Sequence, residues 1–234
     1  MTPSNFLIIL CSIALFSLVA VSVINQREIK TRHKRAKLRS LKVQLEKMED
    51  LVIKLDQLLE SRVIPRLIND EIVDLTIGMI RLDDTASYLQ ATLSNAEQRS
   101  EDLNDEGAYR EISRMLDSDA QIARYQYSLN EAGLMLKKLY AREKINLAEL
   151  ETFLLELSWC HLMIETISII GQGLRSKKRR DPVSAQSFYK RARQSLANST
   201  HTDPRRHRIM KELSEMINNK RDLLSRDLMH ETID

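Results

Sequence analysis

The stretch "LRSLKVQLEKMEDLVIKLDQLL", residues 38–59, indicates the fold class of this chain. Its apolar residues alternate spacings of three and four without a miss, which places them in one stripe along an α-helix. Two interpretations are open: a seam through which parallel copies of the chain self-associate, or the inner stripe of a helix in a single-chain bundle. The stripe consists of Leu38, Leu41, Leu45, Met48, Val52, Leu55 and Leu59.

Composition extends the helical prediction to the rest of the chain. Only 5 Gly and 4 Pro occur in 234 residues, too few for the many tight turns of a multi-stranded sheet. Pro65 predicts a kink or a new helix start after the first stripe. A second stripe from Ile68 to Ala96 predicts one continuous helix, and residues 97–107 lose the period and predict a loop. We therefore expect an elongated all-α bundle or coiled-coil domain.

Further helices are predicted towards the carboxyl terminus. Residues 109–142 and 147–170 have helical periodicity, and the second of these helices is apolar on most of its circumference. It should therefore be the most buried helix, and Gly171 and Gly173 predict its end. Two Asp-Pro pairs each combine an N-cap residue with a first-turn proline, and they predict helices over residues 182–197 and 204–229.

An uncharged run, residues 6–24, precedes these helices. As a helix it would be about 28 Å long, close to the thickness of a bilayer hydrocarbon core. A cleaved signal peptide is the main alternative, because Ala20-Val21-Ser22 has the small-x-small form of a peptidase site. Residues 1–5 contain no Lys or Arg, however, whereas a signal peptide begins with positive charge. The run predicts an uncleaved signal-anchor that crosses the membrane once.

The juxtamembrane segment, residues 25–42, predicts the orientation of that span. Lys and Arg close to a span are retained on the cytoplasmic side, so residues 1–5 should form a short external tail. The protein should lie in the cell membrane, either an inner or a plasma membrane, with its carboxyl-terminal domain in the cytoplasm. The same charges could also contact anionic lipid. The basic residues are Arg27, Lys30, Arg32, Lys34, Arg35, Lys37, Arg39 and Lys42.

Charge divides the cytoplasmic part into two regions. Residues 43–174 carry 13 basic and 24 acidic side chains and form the predicted long-helix region. Residues 175–234 carry 15 basic and 8 acidic side chains and form a predicted helical hairpin. An acidic middle between basic ends does not resemble a duplex-binding domain, which concentrates its positive charge on one face. A basic cluster in the hairpin is a candidate surface for lipid or an acidic partner: Lys177, Lys178, Arg179, Arg180, Arg205, Arg206 and Arg208.

The sequence contains no pattern that predicts a catalytic, cofactor-binding or metal site. No pair among its five histidines has the HxxxH spacing of two metal ligands on one helix face. Cys11 and Cys160 fall in the span and in a cytoplasmic helix, so they predict no disulfide. We therefore expect a membrane-anchored scaffold or adaptor, which binds an unidentified protein and self-associates along residues 38–59. The alternative is a binder of anionic lipid or, with less support, of nucleic acid; an enzyme ranks third.

Overall fold

The computed structural model describes residues 3–83, 86–105, 110 and 112–229, with the side chains of residues 3–24 and of Arg27 left outside that description. The described residues form seven α-helices and no strands, which confirms the all-α prediction. The helices are α1 (Pro3–Leu58), α2 (Val63–Leu82), α3 (Ser87–Asn104), α4 (Asp119–Ala141), α5 (Leu147–Lys178), α6 (Pro182–Asn198) and α7 (Arg205–Ile217).

Helix α1 is continuous over 56 residues, so it is about 84 Å long at the usual rise per residue. Its backbone is helical through the predicted span, residues 6–24, whose side chains lie outside the described residues. Every side chain from Glu28 to Lys37 is exposed, and full burial begins at Leu45. Residues 28–37 therefore form an exposed helical stalk that leads directly into the bundle.

Helices α2 and α3 form a hairpin that runs back along α1 and then returns. Pro65 lies in the first turn of α2, as predicted for a new helix start. At the other end of α2, Lys34 of the stalk lies 3.8 Å from the carboxylate of Asp83. Buried Asn69 donates to the Ala96 carbonyl at 2.8 Å and thereby ties α2 to α3. The hairpin therefore covers α1 from the stalk to its carboxyl end.

The apolar stripe of α1 packs against the other helices of its own chain. Its last five members, from Leu45 to Leu59, are buried in one hydrophobic cluster, and Leu38 and Leu41 are partly buried against it. Leu51 and Leu58 are buried there as well, which widens the stripe to three positions per heptad. A stripe of that width is typical of a bundle helix, whereas a two-chain seam uses two positions. The described contacts therefore agree with the bundle interpretation, and self-association stays a prediction.

Helix α5 connects the two hydrophobic clusters of the molecule. In the first cluster, residues such as Leu157 and Ile164 pack with α1 to α4. In the second cluster, residues such as Trp159 and Ile167 pack with α6, α7 and the chain after α7. Among the described residues, α5 is also the helix long and apolar enough to cross a membrane, but 61% of its most apolar window is buried in the protein. That burial is typical of a core helix.

Three predicted boundaries in the middle of the chain are wrong. The stripe from Ile68 to Ala96 belongs to two helices, because the backbone is extended at Asp83, between α2 and α3. The two helices have the same apolar spacing and face the same core. Residues 97–104 continue α3 instead of forming a loop, since Leu103 is buried seven residues after Ala96. Helix α4 begins at Asp119, where the Ser118 side chain accepts the Gln121 N–H, and not at residue 109.

The predicted helix over residues 204–229 is also too long. Asn219 has a left-handed backbone, with φ of 55°, and α7 ends just before it. The chain then folds back, and the Glu212 carboxylate accepts the Ser225 N–H at 2.7 Å. Because of this turn, Leu224 and Leu228 pack in the second hydrophobic cluster. A longer straight helix would place them away from it.

Gly171 and Gly173 do not end α5, which continues to Lys178. They lie where α5 is crossed by other parts of the chain. A Cβ atom on Gly173 would lie 2.5 Å from Tyr189 Cε1 and 3.2 Å from Phe188 Cβ, both in α6. A Cβ atom on Gly171 would lie 2.5 Å from Met115 Sδ. These glycines therefore permit close packing, and the helix runs past its predicted end at residue 170.

The two glycines provide a matched test of this packing. We expect Gly173→Ala to lower the free energy of unfolding by about 1 to 3 kcal/mol, because the aromatic ring of Tyr189 is held between two helices. Gly171→Ala should be close to neutral, since the flexible Met115 side chain can move and alanine favours helix by up to about 1 kcal/mol. Urea unfolding followed by circular dichroism measures both, and equal effects would contradict the assignment.

Candidate functional site

An open groove lies between α1 and α4. It encloses about 450 Å³, and it is bounded by α1 from Gln44 to Lys54, by α4 from Arg124 to Arg142, and by Glu71 of α2. The two walls belong to helices that pack mainly against other neighbours, α1 against α2 and α4 against α5, so the space between them stays unfilled. Buried apolar side chains form its floor, with the half-buried Met135 above them: Met48, Leu51 and Leu139.

The rim of the groove is polar and more basic than acidic. Lys54 pairs with Asp50 at 2.5 Å, and Arg142 pairs with Glu71 at 3.0 Å. Tyr127 stands on the α4 wall with 64% of its surface exposed, although it is a large aromatic side chain. An apolar floor with a charged rim and an exposed aromatic is the usual composition of a protein-binding surface.

A polar network closes the carboxyl end of α1. The last carbonyl groups of a helix have no partners within the helix. Here Arg110 donates to the carbonyls of Asp56 and Leu59 at 2.8 and 2.6 Å, and Arg114 donates to that of Leu58 at 3.0 Å. Both arginines come from the chain between α3 and α4. This segment therefore caps α1 from the side and fixes where it ends.

Glu60 connects that cap to α7. Its carboxylate accepts from Arg114 at 3.1 Å and from Arg205 at 2.7 Å. Burial alone would raise the pKa of Glu60, but the two guanidinium groups hold that pKa below its usual range. Glu60 is therefore a carboxylate at neutral pH, and it joins three separate parts of the chain.

A second cavity, of about 320 Å³, lies beside this network and contains a thiol and an imidazole. The Cys160 thiol donates to the Leu58 carbonyl at 3.7 Å, and burial raises the pKa of Cys160 to about 12. His201 uses both ring nitrogens, since Nδ1 accepts the Asp203 N–H and Nε2 lies 3.1 Å from the Leu155 carbonyl. A protonated thiol and a fully bonded imidazole are held for structure, and neither is poised for nucleophilic or base chemistry.

Cys160 should be almost unreactive in the folded protein. In a Cys11→Ser background, we expect iodoacetamide at neutral pH to modify Cys160 at least about a thousandfold more slowly than in urea, because the raised pKa removes the thiolate and burial blocks access. Mass spectrometry of timed samples measures both rates. Fast modification without urea would show that the core around Leu58 and Cys160 opens readily.

The predicted juxtamembrane residues and basic cluster lie at opposite ends of the described structure. Lys30 to Lys37 are on the exposed stalk, whereas Arg205 lies against Glu60 beyond the carboxyl end of α1. Five members of the basic cluster are occupied by partners within the chain. The partners are Glu60 and Asp203 for Arg205, the carbonyls of Leu196 and Ser199 for Arg206, Asp227 and Glu212 for Arg208, Asp222 for Lys177, and the carbonyl of Arg175 for Arg179.

Sequence reasoning missed the groove and the cap. Arg110 and Arg114 stand in a stretch that the apolar spacing predicts as the start of a helix, and their spacing carries no sign of the carbonyls that they reach. The groove takes its lining from three helices, so no linear motif marks it. Tyr127 keeps the apolar spacing that begins at Ile112, so no sequence signal marks its exposure in the structure. Among the described residues, no three His, Cys, Asp or Glu side chains cluster closely enough to hold a metal ion.

Comparisons with protein-family models, with curated proteins and with solved structures find no match to this chain.

Proposed function

We propose that this chain is a membrane-anchored helical adaptor that binds another cytoplasmic protein in the groove between α1 and α4. The observation that carries the proposal is the groove itself: a half-buried Met135 and an exposed Tyr127 stand in it above a buried apolar floor. A concave surface with an exposed aromatic side chain and a charged rim is typical of protein-binding sites.

The continuous α1 supports the anchoring part of the proposal. If residues 6–24 span the bilayer, the groove begins at Gln44, about 30 Å along the helix from the end of the span. Headgroups extend only about 5 to 8 Å beyond the hydrocarbon core on each side. The stalk would therefore hold the groove clear of the lipid surface, where a folded partner could reach it.

Binding of lipid or nucleic acid through the basic ends has less support. Arg205 lies beyond residue 58, about 50 Å along α1 from the predicted span. Electrostatic attraction between exposed charges fades over about 8 to 10 Å at physiological salt. The stalk could contact anionic headgroups, but the basic cluster is too far from the same bilayer, and most of its members have partners within the chain.

A photocrosslinking experiment on the full-length protein in native membranes tests the adaptor proposal. With p-benzoylphenylalanine at Gln44 or at Tyr127, on opposite walls, we expect the same discrete adduct with another protein. The same amino acid at Glu151, exposed on α5 outside the groove, should not give that adduct.

A groove-filling variant makes the result specific. Glu131→Trp adds a ring to the groove lining from a half-buried position and should abolish the adduct, whereas Glu151→Trp, on the exposed surface of α5, should leave it intact. Circular dichroism checks that both variants keep their helix content. Different proteins captured from the two walls, or an adduct that survives Glu131→Trp, would reject the groove as the docking site.

A further inference from the structure

The groove has a charge opposite to that of the region around it. Residues 43–174 are strongly acidic, with 24 acidic against 13 basic side chains. The groove lining within that region holds five basic side chains and three acidic ones. The groove lining is therefore net positive within a region that is net negative, which predicts a complementary negative partner.

Ion pairing within the groove leaves more basic than acidic side chains without an ionic partner. Asp50 and Glu71 are paired with basic neighbours on the same rim. Among the described side chains of the rim, Lys47, Arg124 and Lys138 have no ion pair, and Glu131 is the remaining acidic member. These three basic residues stand on both walls, one on α1 and two on α4, so an occupant would meet positive charge on each side of the apolar floor.

The backbone of the groove indicates the conformation of the occupant. Both walls are α-helices, whose backbone groups are bonded within each helix, so the groove offers no free strand edge. An extended peptide would leave its own N–H and C=O groups unpaired over the apolar floor, whereas a helix satisfies them internally. The α4 wall from Arg124 to Arg142 is about 27 Å long, enough for a helical segment of several turns.

From these observations we infer that the groove binds an amphipathic α-helix of a partner protein, whose apolar stripe is flanked by Asp and Glu residues. The apolar stripe contacts Tyr127 and the half-buried, flexible Met135, above a floor of buried Met48, Leu51 and Leu139. The flanking carboxylates meet Lys47 on one wall and Arg124 and Lys138 on the other. This inference depends on the proposed adaptor function and adds the chemical class of the partner to it.

The test uses the segment that crosslinks to position 127. Mass spectrometry of the adduct identifies that segment, which is then made as a labelled synthetic peptide. We expect a net negative sequence with apolar residues at helical spacing, and a gain of helical circular dichroism on binding to the full-length protein in detergent micelles. Fluorescence anisotropy gives its dissociation constant.

Charge-reversed variants provide the decisive comparison. Lys47→Glu, Arg124→Glu and Lys138→Glu together should weaken peptide binding at least about tenfold, because each reversal replaces an attraction with a repulsion. Lys190→Glu, Arg191→Glu and Lys211→Glu change the same residue types on exposed surface outside the groove. That matched variant should change the dissociation constant less than about twofold, since its charges lie beyond screening distance of the groove.

Each other outcome overturns the inference in a recognisable way. A captured segment that is basic, that lacks helical spacing, or that belongs to a second copy of this chain would contradict the acidic-helix partner and leave the groove a docking site. Equal weakening by the two charge-reversed variants would also contradict it. Absence of any adduct specific to the groove would reject the adaptor proposal itself.

Discussion

Replacing Trp159 by Ala should lower the free energy of unfolding by about 3 to 5 kcal/mol, the usual effect of truncating a buried aromatic side chain. Trp159 is 5% exposed, and its ring lies 5.2 Å from that of His201 and 4.9 Å from the guanidinium of Arg205. The substitution would therefore leave a cavity and release the chain before α7 from α5. Urea unfolding of the full-length protein in detergent, followed by circular dichroism, gives the value.

Trp159→Phe is the control for this prediction. It keeps an aromatic ring in the second hydrophobic cluster and removes the indole N–H, which is buried without a hydrogen-bond partner. Removal of an unpaired buried donor offsets part of the lost volume, so we expect a decrease of less than about 2 kcal/mol. A decrease as large as that of Trp159→Ala would show that the site requires the full volume of the indole, and that a smaller aromatic ring does not fill it.

Trp159→Ala also tests whether the two hydrophobic clusters unfold together. Helix α5 contributes Leu157 to one cluster and Trp159 to the other, only two residues away. A helix shared so closely should couple them into one cooperative transition. Two separate transitions in the Trp159→Ala protein would show that α6 and α7 can detach while the bundle of α1 to α5 stays folded.

Local sequence signals predicted helices well where one helix faces one core. The stripe from Leu38 to Leu59 was predicted residue by residue, since a single helix presents it to one set of neighbours. The stripe from Ile68 to Ala96 misled because two helices of a hairpin share the same spacing and the same core. Gly173 misled because glycine serves both to end helices and to let them cross closely, and only the position of Tyr189 distinguishes the two uses.

The candidate site was less accessible to sequence reasoning, for a physical reason. Arg124 and Lys138 are fourteen residues apart on α4, and Lys47 belongs to another helix. Each alone is an ordinary exposed charge, and only the packing of α1 against α4 makes them the rim of one groove. Conversely, Arg205 and Arg208 look like part of a basic surface in the sequence, but they are paired with carboxylates that the fold brings to them.

Replacing all eight juxtamembrane Lys and Arg residues by Gln should change the orientation of the predicted span. The unmodified protein should place a reporter fused after Asp234 in the cytoplasm, because positive charge beside a span is retained there. The opposite flank, residues 1–5, has no charge to maintain that orientation. We therefore expect about a tenth or more of the Gln variant to insert with the reporter outside, measured with a paired set of cytoplasmic and external reporters.

The control for this experiment removes positive charge far from the span. Replacing Lys177 to Arg180 by Gln should leave the orientation unchanged, since these residues lie beyond the 15 to 20 positions over which the charge bias acts. An external reporter on the unmodified protein would contradict the orientation and, with it, the cytoplasmic adaptor proposal. A reporter that stays fully cytoplasmic in the Gln variant would mean that the folded bundle, and not the charge of the stalk, keeps the domain on that side.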